Sequence, residues 1–266
     1  MGQGIMMGWG RRRLAAAAVG LGLVVALAWF VVGGPASGEG AAGVVTGDAM
    51  FFLRIPAAST ALEWVAAARE DAPALDRALN TARDALGYDL LDPDTWRGLA
   101  ADLEAPLSVA LVPSPFLSAV LVISIPTQRG TPVLDGAGLL FTRLPMEVRP
   151  RLEQTSELGT SLGRLRVGDR VVAGLMMWED QLLVGLPVGA GDRKAGIDDW
   201  MARTADKNGD RLITEPGVRD ALRTHRGAPL LLLCREAGGA EPCVRTPEDP
   251  VAAISELFER LLSPSS

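Results

Sequence analysis

Leu107-Ser108-Val109-Ala110-Leu111-Val112-Pro113-Ser114-Pro115-Phe116-Leu117-Ser118-Ala119-Val120-Leu121-Val122-Ile123-Ser124-Ile125 is the stretch whose reading decides the fold. It lies within a segment from Ala105 to Gln128 that carries no charge and is long enough to cross a bilayer as one helix. Pro113 and Pro115 sit at its centre, and each would remove a helix donor and clash with the preceding turn at about 3 kcal/mol. Val109, Val112, Val120, Val122, Ile123 and Ile125 favour extended backbone instead. The segment therefore reads as two buried strands, Leu107–Val112 and Leu117–Ile125, joined by Pro113-Ser114-Pro115. A sheet is implied, and the fold class follows from what surrounds it.

Upstream, Ala49–Ile55 reads as a strand. Thr60 and Glu63 at capping-box spacing open a helix with Leu62, Val65 and Ala66 on one face. Pro73 starts a second helix that carries Leu75, Leu79, Ala82 and Leu86 and ends at Gly87; Asp92-Pro93 starts a short third one through Trp96 to Leu103. Downstream, Thr131-Pro132 begins a weak helix. Gly163–Val167, Val171–Glu179 and Leu182–Leu186 then form a meander with turns at Gly168-Asp169 and Glu179-Asp180. Helices follow at Asp192–Ala205 and at Glu215–Thr224, the latter capped by Thr214, then a strand Leu230–Cys234 and a helix Val251–Leu262. The expected class is α+β: an antiparallel sheet packed against helices, behind an N-terminal transmembrane helix.

That helix is Leu14–Val32, which contains no charge and follows Arg11, Arg12 and Arg13. Its nineteen residues reach roughly 28 Å as a helix, close to the hydrocarbon thickness of a bilayer. The basic residues 1–13 stay cytoplasmic under the positive-inside rule, so the rest of the chain lies outside. The expected address is a single-pass inner-membrane protein, held by residues 14–32, with its C-terminal domain in the periplasm. A secretory signal cleaved after Ala36-Ser37-Gly38 is the alternative, and it gives the same outward orientation. Arg12-Arg13-Leu14 matches a twin-arginine signal poorly, and no cysteine follows the run to carry a lipid. Residues 33–48, rich in Gly, Ala and Ser, read as a flexible tether to a domain spanning 49–266.

Without residues 1–38, which hold three Arg and no acid, the chain has 23 basic and 32 acidic residues, a net charge of −9. This balance argues against nucleic acid or anionic headgroups as partners. Cys234 and Cys243 are the two cysteines. On the oxidising side of a membrane a disulfide between them is one reading, and a reduced Cys234 buried as a small hydrophobe is the other. They do not make a zinc site, since no histidine cluster accompanies them.

Three further patterns point to chemistry only at first sight. Gly159-Thr160-Ser161-Leu162-Gly163 has the spacing of a serine-hydrolase nucleophile, and the sole histidine, His225, follows Asp192, Asp198 and Asp199. That nucleophile needs a buried strand turning sharply into a helix, whereas here a polar stretch runs into a strand. Asp206-Lys207-Asn208-Gly209-Asp210 has the alternating oxygen ligands of a calcium loop, but position six is Arg211 and position twelve is Gly217. Trp64, Trp96, Trp178 and Trp200 sit among core-spaced residues and read as core rather than a ligand groove. Glu63, Glu70, Asp71 and Asp76 read as a solvated helical face. No catalytic, cofactor-binding or metal-binding residue is assigned.

Ile55-Pro56-Ala57-Ala58-Ser59-Thr60, Gly87-Tyr88-Asp89-Leu90-Leu91-Asp92-Pro93 and Asp210-Arg211-Leu212-Ile213-Thr214-Glu215-Pro216 behind one anchor resemble a family of bacterial membrane-anchored extracytoplasmic proteins of unknown function. The resemblance implies repeated α+β modules, covers about residues 49–235, and leaves room for a second module starting at 229. It transfers no catalytic residues. The functional expectation is a non-catalytic binding or envelope-structural protein with an envelope protein as partner. The alternatives are a serine hydrolase using Ser161 and His225, and a carrier of lipid or another apolar ligand.

Overall fold

A computed structural model describes residues 42–43, 45–55, 58–86, 107–126, 146, 149–154, 162–178, 181–206, 208–225, 231–234 and 243–255. Strand β1 (Phe51–Ile55) is followed by helices α1 (Ala58–Asp71) and α2 (Pro73–Leu86), then by β2 (Leu107–Pro113) and β3 (Ala119–Pro126). The meander comprises β4 (Arg151–Gln154), β5 (Leu162–Val167), β6 (Arg170–Trp178) and β7 (Gln181–Val188). Helix α3 (Arg193–Ala205), a 3-10 turn (Leu212–Thr214) and α4 (Pro216–Thr224) lead to β8 (Leu231–Cys234) and β9 (Cys243–Arg245). Residues 250–255 are helical.

The nine strands among the described residues join one sheet, in the order β4-β5-β6-β7-β3-β2-β1-β8-β9, and each of these pairings is antiparallel. The α+β class and the antiparallel sheet are as the sequence implies. Residues 14–32 lie outside the described residues; among those described, no helix is long and apolar enough to cross a membrane.

The uncharged segment 105–128 supplies β2 and β3 at the sheet's centre. β2 and β3 pair from Ser108↔Ser124 to Pro113↔Ala119, turning through Ser114 to Ser118. They read as continuous apolar runs because side chains on both faces are buried: Ala110, Val112, Val120 and Val122 on one, Ile123 on the other. Cross-strand register lines up Phe52, Ala110, Val122, Gly185 and Gly174 in one row, which faces α3 and α4. A Cβ on Gly185 would collide with the Trp200 ring, and one on Gly174 with Ile197. The paired glycines thus form the trough in which α3 lies. Trp200 is 1% exposed and Met201 2% exposed. Complete burial of one indole removes more apolar area from water than any aliphatic residue in this cluster could.

Several boundaries differ from expectation. The body starts before Ala49. Ala42 and Val45 are buried, Leu212 N donates to Val45 O at 2.9 Å and Gly47 N to Asp210 O at 2.9 Å, so the end of the expected tether is a strap on the domain. Small residues pack there because a segment of the same chain, distant in sequence, meets them, which composition alone does not reveal. Thr60 lies inside α1 rather than capping it, and Glu215, not Thr214, occupies the N-cap of α4, without a side-chain bond. Thr214 Oγ1 instead donates to Arg211 O at 2.6 Å. β8, which follows the position 229 where a second module could start, lies beside β1 in the same sheet, with Leu53 opposite Leu232.

Of the tryptophans, Trp200 is core and Trp64 and Trp178 are half-buried against core clusters, while Trp96 lies outside the described residues. The helices expected at Asp92–Leu103 and Thr131–Pro132 lie outside them too. In α1 and α2, Glu63, Glu70 and Asp71 are exposed as a solvated face requires; Asp76 instead accepts from Arg69 Nε at 2.5 Å and from Asn80 Nδ2 at 3.0 Å.

Candidate functional site

The strap and the C-terminal end of α3 enclose a cleft of about 620 Å³. One wall is Thr46-Gly47-Asp48; the other is Arg203 and Asp206 with Gly209 to Arg211, Thr214 and Glu215. These walls are distant in sequence and are held together by backbone bonds from Gly47 and Leu212, by the Thr46–Arg211 bridge, and by one guanidinium. Arg203 donates from Nη1 to Asp48 Oδ2 at 2.8 Å, from Nε to Asp199 Oδ2 at 3.0 Å and from Nη2 to Pro113 O at 2.7 Å. It therefore ties α3 both to the strap and to the end of β2.

The loop after α3 is built from turn chemistry. Asp206 Oδ1 accepts the Asn208 N–H at 2.9 Å, and Asp206 O accepts the Gly209 N–H at 3.2 Å. Helix carbonyls at this end have no partner one turn on, and Arg211 supplies it: Nη2 donates to Thr204 O at 2.8 Å and to Asp206 O at 2.6 Å. Buried at 8% exposure, this cation also offsets the negative end of the α3 dipole. The residue that breaks the calcium pattern at its sixth position is thus a helix cap. Among the described residues no group of three or more His, Cys, Asp or Glu is placed to hold a metal ion.

Carboxylates lining the cleft, Asp48, Asp206, Asp210 and Glu215, outnumber the two guanidinium groups, and both guanidinium groups are directed at protein oxygens. Thr46 Oγ1 is buried on the strap wall with no hydrogen-bond partner among the described residues. At the other end of α3, burial and then the neighbouring Arg170 charge lower the Arg193 pKa from its ordinary value.

The residues considered for hydrolysis fare differently. Ser161 lies outside the described residues, but β5 begins immediately after it at Leu162, so the chain runs into a strand and not a helix. His225 ends α4, its N–H bonded to Ala221 O at 2.9 Å, and its carbonyl accepts from Arg54 Nη2 at 2.7 Å. It does not line the cleft. Cys234 and Cys243 occupy facing positions on β8 and β9. The cleft was not found from the sequence; the one signal for half of it was the Asp206–Asp210 run, whose turn and cap chemistry is local.

No family model, curated protein or solved structure matches the chain.

Proposed function

We propose that the chain is a non-catalytic binding module, held outside the inner membrane by residues 14–32, that takes a polar ligand or a partner's polar side chains in the cleft between the strap and the end of α3. The observation that carries this reading is the cleft itself: an open cavity of about 620 Å³, within the size range of small-molecule sites, lined by carboxylate, guanidinium and hydroxyl side chains from two remote segments. Because carboxylates dominate the lining and the cations face protein acceptors, the ligand is neutral or cationic and not a polyanion.

The alternatives lose support on particular observations. A nucleophile at Ser161 would be followed by a helix, and a strand follows. A carrier needs room between sheet and helix, and under α3 that room is filled by Trp200, Ile197 and Met201.

A photo-crosslinking residue placed at Asp210 in the full chain, in intact cells, tests the reading, with the same residue at exposed Arg170 as control. Adducts specific to position 210 are expected. Identical patterns from both positions would sink it, and ester hydrolysis lost in both Ser161→Ala and His225→Ala would favour the hydrolase.

A further inference from the structure

β8 and β9 close one end of the nine-stranded sheet. They pair with Leu232 opposite Arg245, Leu233 opposite Val244 and Cys234 opposite Cys243, so the two cysteines of the chain occupy one facing position of the ladder. Directly facing residues of an antiparallel pair have Cα atoms about 4.5 or 5.5 Å apart, according to whether the pair exchanges hydrogen bonds. Both separations lie inside the roughly 4.4–6.8 Å window that a disulfide bridges without moving the backbone. A slip of one residue in either strand would place the two on opposite faces, so the pairing depends on this register and no other.

We propose that Cys234 and Cys243 form an intramolecular disulfide that fixes β9 to β8. β9 has three residues and holds the sheet edge through a single neighbour, β8. So short a strand adds few ladder bonds, and a covalent link at the last residue of β8 and the first of β9 fixes its register and closes the connection 235–242. The chemistry is thiol–disulfide exchange with a disulfide-form oxidant. One thiolate attacks the oxidant to give a mixed disulfide, the second displaces it, two protons leave the cysteines, and the two electrons depart with the oxidant as thiols. The inference rests on strand register and stands independently of the cleft.

The purified full chain in detergent, fully reduced and then equilibrated with glutathione disulfide, tests it by intact mass and peptide mapping. The expected product is a monomer lighter by two hydrogens, with Cys234 and Cys243 peptides joined and no glutathione attached. In urea, where the register is lost, glutathione adducts should rise relative to the internal bond by roughly tenfold. Free thiols, a glutathione adduct on each cysteine, or a disulfide between two chains under native conditions would each overturn the proposal.

Discussion

Gly185 on β7 lies directly beneath the indole of Trp200 on α3, so close that a Cβ at this position would overlap the six-membered ring. Its cross-strand partner Gly174 gives Ile197 the same access. Gly185→Ala is therefore overpacking against a fully buried ring, with an expected loss of about 1–3 kcal/mol. Trp200→Ala leaves a cavity and should lose about 3–5 kcal/mol. Urea unfolding followed by circular dichroism checks both. A neutral Gly185→Ala would mean that α3 does not lie in the glycine trough.

Arg211 should matter to the cleft beyond its contribution to overall stability. Arg211→Lys keeps a charge but loses the forked donor that reaches Thr204 O and Asp206 O, a loss of about 1–3 kcal/mol for buried carbonyls. Hydrogen exchange of the Gly47 and Leu212 amides, which bond Asp210 O and Val45 O, should quicken more than that of central β3 amides such as Val122. Uniform quickening would show that strap and loop do not open as a local unit.

Ser124 Oγ donates to Gln181 Oε1 at 3.0 Å inside the sheet, where the two residues are 1% and 0% exposed. Ser124→Ala removes a donor and leaves a buried amide oxygen short of one partner, with an expected loss of about 1–3 kcal/mol. For a domain of this size that is roughly 2–4 °C of Tm per kcal/mol, measurable by calorimetry.

Arg193 opens α3 at the end where the helix dipole disfavours a cation, and Arg170 adds to the repulsion. Its pKa is lowered by burial first and by Arg170 second. A base with a folded pKa below its unfolded one weakens the fold wherever it is protonated, which for arginine covers the whole ordinary pH range. Arg193→Gln should stabilise by about 0.3–1 kcal/mol at neutral pH, less at high salt, and a destabilised variant would contradict this placement.

What could be read from the sequence divides along physical lines. β2 and β3 were legible because paired prolines rule out a helix and β-branched residues on both faces mark buried strands. The meander and α3 were legible from turn residues and helical spacing, with Asp192 capping α3 by accepting Ala195 N–H at 3.0 Å. β4 was missed because Arg151-Leu152-Glu153-Gln154 is an exposed edge strand that lacks an apolar face, and β9 because three residues carry no period. The strap and cleft were missed for another reason. Ala42 and Val45 are buried in one core cluster with Leu212, whose N–H bonds Val45 O, and Arg203 reaches Asp48 across 155 residues of sequence. Such non-local pairings leave no local pattern.

Proteolysis of spheroplasts made from cells expressing the full chain tests the central claim most directly, since the binding module is proposed to lie outside and to be held by residues 14–32. The account predicts that added protease digests the domain while a cytoplasmic marker survives, and that before digestion the chain stays with the membrane through a carbonate wash. A domain protected until the spheroplasts are lysed would contradict it.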